Sequence, residues 1–126
     1  MVDAQPKVLE SRKILVVEDD YTIATNLAHS LQKLGATVIG PANSVDSAML
    51  LINGDISLDA AVLDIHLGTE KVFPVAEALL ARGIPFVFTT GYSPSSIPSA
   101  FANQDLCEKP IDTRALSRIL SARLAN

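Results

Sequence analysis

A lone carboxylate at the end of an apolar run is the first sign of chemistry in this chain: Ala60-Ala61-Val62-Leu63 stops at Asp64. Other apolar runs break off in the same way. Ile14-Leu15-Val16-Val17 meets Glu18-Asp19-Asp20, Pro85-Phe86-Val87-Phe88 meets Thr89-Thr90-Gly91, and the short Leu106-Cys107-Glu108 leads to Lys109-Pro110. Such runs read as strands buried on both faces of a parallel sheet, and ligands collect beyond the carboxyl ends of those strands. The pattern delivers acids, a hydroxyl and an amine to one rim.

Carboxylates gathered there repel one another, which raises the pKa of one of them unless a cation relieves the repulsion. Mg²⁺ takes a few carboxylate oxygens together with water and a phosphate oxygen, so Asp19 and Asp64 are expected as direct ligands and Glu18 as a partner through water. Asp64 can then attack phosphorus as a carboxylate nucleophile, giving an aspartyl phosphate. Lys109 can pair with one phosphoryl oxygen and the Thr90 hydroxyl with another, so catalysis is positioning plus charge neutralisation. Each residue also has a plainer reading. Alone, Asp64 is a cap or turn aspartate, Glu18-Asp19-Asp20 a solvated loop, Lys109 a strand-end charge and Cys107 a buried strand residue; their conjunction on neighbouring strand ends favours the chemistry. His66 reads as a loop residue governing water access, and His29 falls off the apolar face of its helix.

The elements that must hold these side chains follow from periodicity. The first strand, Lys13 to Val17, precedes a helix with Ile23, Ala24, Leu27, Ala28, Leu31 and Leu34 at helical spacing, capped by Asp20 or Thr22 and ended by Gly35. A short second strand, Ala36 to Ile39, turns at Gly40-Pro41 toward a helix capped by Ser44 and stopped by Asn53-Gly54. The third strand, Ala60 to Leu63, leads through an Ile65-to-Glu70 loop to a helix with Val72, Val75, Ala76, Leu79 and Leu80. After the fourth strand, Pro85 to Thr90, the stretch Tyr92 to Asn103 carries Pro94, Pro98 and many serines, so its helix should be short or poorly formed. A brief fifth strand and a last helix with Leu116, Ile119, Leu120 and Leu124, capped by Asp112 or Thr113, complete the pattern.

Five strand-helix repeats predict an α/β, doubly wound three-layer sandwich: a five-stranded parallel sheet of flavodoxin-like (βα)5 type, order 2-1-3-4-5. Residues 1–12 are expected to be an N-terminal tail, with Val8 and Leu9 able to pack on the domain edge, and residues 13–126 the domain. A dinucleotide fold lacks support, because acids stand where a phosphate-cradling loop needs glycines.

With 126 residues and a formal charge of -4, the chain has room for one core and no basic stripe for nucleic acid. Its single cysteine, Cys107, allows no internal disulfide and no thiolate metal cluster. No apolar stretch suits a signal peptide or a membrane span, so a cytoplasmic protein is expected.

Together, Glu18-Asp19, Asp64, Thr90 and Lys109-Pro110 resemble the response-regulator receiver domains of the CheY-like kind, over Lys13 to Leu124. The resemblance implies Asp64 as phospho-acceptor, Thr90 as switch residue, the His66 carbonyl completing the metal shell and a cis Lys109-Pro110 bond. Leu106 stands where many receivers carry a Tyr or Phe that rotates with Thr90, Gly68 where a proline is common, and Ile111 where Phe is frequent. The stretch Pro85 to Tyr92 is similar to a Phe-x-Thr-Gly-Tyr-type subgroup of alphaproteobacterial regulators, and Tyr92 either packs in its loop or covers the phosphoryl group. The implied function is a single-domain response regulator, phosphorylated by a histidine kinase with Mg²⁺. It would signal through a downstream protein on the face of the fourth helix, fifth strand and fifth helix, or drain phosphate from a shared kinase. It is expected as a monomer or weak dimer, catalysing its own phosphorylation and dephosphorylation but no turnover of a separate substrate. A degenerate binding module and a small Mg²⁺-dependent phosphohydrolase are the alternatives.

Overall fold

Alternate side chains of each central strand point to opposite faces, and the apolar residues on both faces need cover. The computed structural model, which describes residues 7–91 and 97–125, supplies it with two helices on each side. The main elements are β1 (Lys13–Val17), α1 (Tyr21–Lys33), β2 (Thr37–Ala42), α2 (Val45–Ile52), β3 (Ala60–Asp64), β4 (His66–Leu67), β5 (Glu70–Lys71), α3 (Phe73–Ala81), β6 (Phe86–Thr90), β7 (Asp105–Glu108) and α4 (Thr113–Leu124). Strands β2-β1-β3-β6-β7 pair in that order, all parallel, which is the expected flavodoxin-like arrangement. From β3, Ala61 and Leu63 join the core beneath α2 and α3, while Ala60 and Val62 join that beneath α1 and α4. Asp64 ends the latter row. No described helix is long and apolar enough to cross a membrane.

The helices begin where short polar side chains satisfy their free amides. Asp20 accepts from the Ile23 N–H at 3.0 Å to cap α1, and Asp112 accepts from the Arg114 N–H at 2.9 Å to cap α4. Ser44 and Ser47 exchange bonds as a capping box at α2. These starts set α1 and α4 directly after the strand ends that carry Glu18-Asp19 and Lys109.

Four local features depart from or extend the reading from sequence. First, β2 does not turn at Gly40-Pro41 but runs on to Ala42. Its ladder slips between Leu15 and Val17, with the additional residue taken up at Gly40, whose φ is +97°. A Cβ there would lie 2.7 Å from the Ala42 nitrogen and 2.9 Å from the Val16 oxygen, so the bulge needs glycine. The extension matters because the Glu18 N–H donates to the Ala42 carbonyl at 2.9 Å. Second, the loop after Asp64 contains a small antiparallel hairpin, β4 with β5, turning at Gly68-Thr69. Third, Leu9 is fully buried among the residues under α1, and its N–H donates to the Leu34 carbonyl at 2.9 Å. Fourth, the described part of Tyr92 to Asn103 holds a single 3₁₀ turn, Ser99–Phe101. Phe101 is buried there and stacks on Phe73 at 5.5 Å between ring centroids. Tyr92, with its two expected readings, lies outside the described residues.

Both Gly40-Pro41 and Lys109-Pro110 are cis. The resemblance implied only the second.

Candidate functional site

Glu18, Asp19, Asp64 and Lys109 come together in a cleft of about 470 Å³ at the carboxyl edge of the sheet. The register explains the meeting. Strand β1 pairs with β3 from Ile14↔Ala60 to Val17↔Leu63, so Glu18 and Asp64 leave adjacent strands at the same level. Strand β7 lies beyond β6, and the Lys109 N–H donates to the Thr90 carbonyl at 2.8 Å, which delivers the lysine to the same rim.

Lys109 Nζ lies 3.0 Å from both Asp64 Oδ2 and Glu18 Oε1. The other oxygen of each acid meets a backbone donor: Asp64 Oδ1 accepts from the His66 N–H at 3.2 Å, and Glu18 Oε2 accepts from the Asp20 N–H at 3.1 Å. Both acids are buried, whereas Asp19 is exposed at the mouth. Two buried carboxylates sharing one ammonium leave negative charge in excess. Burial, followed by the neighbouring Asp64, pushes the Glu18 carboxyl up to about 7, against the opposing pull of the Asp20 amide and Lys109. Burial disfavours the charge on Lys109, yet Glu18 and Asp64 together hold its pKa above the ordinary lysine value.

One carboxylate oxygen from each of Glu18, Asp19 and Asp64 lies within 4.8 Å of the others. An octahedral Mg²⁺ with bonds of about 2.1 Å places opposite ligands about 4.2 Å apart, so these oxygens converge on the scale such an ion requires. The all-oxygen donor set and its excess charge also suit a hard dication. The residues therefore fit the metal.

The remaining expected residues are placed less uniformly. His66 lines the cleft from β4, with Gly68 opposite Asp19. Thr90 is buried at the end of β6, and it is the next residue, Gly91, that lines the cleft. Leu106 is half-buried against the core beneath α2 and α3, and Pro110 is exposed beside α1. Cys107 is a free, buried strand residue. Two contributions were missed from sequence: the hairpin that brings His66 over Asp64, and the second role of Asp20, whose amide holds Glu18 while its side chain caps α1. The Gly68-Thr69 pair between His66-Leu67 and Glu70-Lys71 has the two-residue spacing of a tight hairpin and was the available signal.

No family model matches the chain, and no curated protein matches it. Among solved structures, it is similar to SdrG from Sphingomonas melonis Fr1, with 41% identity over 91% of this chain and 98% of that one and a TM-score of 0.79. It is likewise similar to the BeF3-activated conformation of SdrG from Pseudomonas melonis Fr1, at 42% identity over 90% of this chain and 96% of that one, with a TM-score of 0.74. A response regulator receiver protein from Sinorhizobium medicae WSM419 has 22% identity over 91% and 98% of the two chains and a TM-score of 0.75. The receiver domain of the sensor histidine kinase PA1611 from Pseudomonas aeruginosa PAO1, solved with a magnesium ion coordinated in its active site cleft, has 22% identity over 92% and 99% and a TM-score of 0.79. The last two likenesses are of fold.

Proposed function

The chain belongs to the response-regulator receiver domains, and on that premise we propose that its Asp64 accepts a phosphoryl group from the phosphohistidine of a kinase. The observation that carries the reading is the position of Lys109, 3.0 Å from both Asp64 and Glu18, beside Asp19 in one cleft. Asp64 is held at both oxygens, by Lys109 and by the His66 amide, so it presents a fixed carboxylate to an incoming phosphorus. One Asp64 oxygen forms the new P–O bond while the P–N bond to the donor imidazole breaks. Lys109 then moves its charge onto a phosphoryl oxygen, and the Thr90 hydroxyl, at the end of the neighbouring strand, supplies a donor to another. Glu18, Asp19 and Asp64 would hold Mg²⁺, with the His66 carbonyl as a further ligand; bound there, the ion neutralises charge on the transferring group. Thr90 and the residues around Leu106 and Pro110 carry the change outward, and the output is contact with a partner protein. The alternative outcome of the same chemistry is a phosphate sink.

The reading is tested by incubating the protein with Mg²⁺ and a small acyl phosphate and weighing it intact, beside Asp64→Asn. It predicts a gain of one phosphoryl group that disappears with a chelator and in the variant. No gain in folded wild-type protein with either the small donor or a phosphorylated kinase would contradict it and favour a binding module without phosphoryl chemistry.

A further inference from the structure

We propose that Thr89 is a positioning residue beneath the bridge from Lys109 to Asp64, its hydroxyl steadying the ammonium as it turns from the carboxylates to the phosphoryl group. The proposal rests on the phosphoryl reading of the cleft and adds a residue to it. Four polar or charged side chains are buried among the described residues: Glu18, Asp64, Thr89 and Thr90. Three of them have a place in the proposed chemistry. Thr89, 1% exposed, has none so far. Packing alone does not call for its hydroxyl, since valine has the same shape and suits a buried strand.

The register places that hydroxyl under the bridge. Strand β6 stands between β3, which ends in Asp64, and β7, which leads to Lys109. Neighbouring strands lie about 4.8 Å apart, so the lysine must reach across β6 to bring Nζ within 3.0 Å of Asp64 Oδ2. Partners in a parallel pair share a face, and alternate residues of a strand change face. Asp64 is the partner of Thr89, and Thr89 that of Cys107, two residues before Lys109. Val62 and Val87, paired one alternation earlier, belong with Cys107 to the core beneath α1 and α4. Thr89 therefore stands on the same face as Asp64 and Cys107, with Lys109 next in that row. Thr90 has instead the parity of Phe86 and Phe88, which pack beneath α2 and α3. The ammonium carries three N–H donors, and Glu18 and Asp64 engage it at 3.0 Å each. When it turns to a phosphoryl oxygen it leaves its place between the two carboxylates. The Thr89 oxygen beneath then accepts one N–H, so the charge stays aimed at the transferring group.

The test is the rate of phosphorylation by acetyl phosphate with Mg²⁺, followed by intact mass in wild type, Thr89→Val and Thr89→Ser, with urea unfolding of all three. Thr89→Val keeps the shape and loses the hydroxyl. It should slow phosphorylation by about tenfold, the scale of one hydrogen bond to a charged group, with an unfolding midpoint no lower than that of wild type. Thr89→Ser keeps the hydroxyl and loses a buried methyl, so it should retain the wild-type rate while its midpoint falls. A merely structural role predicts the reverse order. Equal rates in wild type and Thr89→Val, or equal losses in the two variants, would overturn the proposal and leave Asp64 as the acceptor. Absence of phosphorylation in wild type would overturn it together with the reading on which it rests.

Discussion

Glu18 and Lys109 set the electrostatics of the cleft, and their energetics give two predictions. The Glu18 carboxyl is raised from 4.5 to about 7 in the folded chain without metal. A raised folded pKa means that the folded state binds the proton more tightly than the unfolded state. This stabilisation is complete below about pH 4.5 and is lost as pH rises through about 7. Glu18→Gln removes the titrating group but keeps its shape, so metal-free variant and wild type should diverge with rising pH in favour of the variant, by up to about 3 kcal/mol above pH 7. Urea denaturation across that range, in the presence of a chelator, measures it; parallel stability curves would refute it. Lys109→Met leaves Glu18 and Asp64 facing each other without their shared cation, and near neutral pH should cost about 2–3 kcal/mol, again read from urea midpoints. Divalent metal should restore part of that loss. From sequence, Asp64, Asp19 and Lys109 could be picked out because each lies at or one residue beyond the break of an apolar run. The grip of the Asp20 amide on Glu18 could not, since a backbone donor carries no signature in side-chain type.

At the level of elements, the strand ends are positioned by features of unequal visibility. Buried strands and amphipathic helices announce themselves by period, and the five sheet strands and four helices follow the spacing of Val, Ile and Leu. A bulge does not, because one glycine with positive φ looks like any turn glycine until its neighbours are known. Gly40 shows the consequence: reading it with Pro41 as a turn ends β2 too early, whereas the extended strand supplies the Ala42 carbonyl to Glu18. Gly40→Ala should destabilise the domain by more than about 1 kcal/mol, since the new Cβ meets backbone on both sides. It should also weaken divalent-cation binding measured by calorimetry; unchanged stability would mean that the bulge tolerates a side chain. The amino-terminal stretch is legible only in part. Leu9 is one apolar residue without a periodic partner, yet it is fully buried, and Leu9→Ala should cost about 2–5 kcal/mol in thermal or urea unfolding. A loss below about 0.5 kcal/mol would place Leu9 outside the cooperative core.

For the molecule as a whole, the sheet carries two apolar layers and gathers the candidate site's acids and lysine at one edge, so the site stands at the rim of the core and not within it. The apolar clusters run beneath α2 with α3 and beneath α1 with α4, and the acidic cleft opens at the carboxyl ends of the strands between them. Under the proposed function, a charge change at Asp64 would have to reach the surface along the strands beside it while these two cores stay packed. The central claim is that Asp64, and neither Glu18 nor Asp19, carries the phosphoryl group. The most direct measurement is borohydride reduction of the phosphorylated protein, which converts an aspartyl phosphate to homoserine, followed by peptide mapping. The account predicts homoserine at position 64 and nowhere else, dependent on metal and phosphodonor. Reduction at Glu18 or Asp19, or a phosphoryl group on a hydroxyl or imidazole that borohydride leaves untouched, would contradict it.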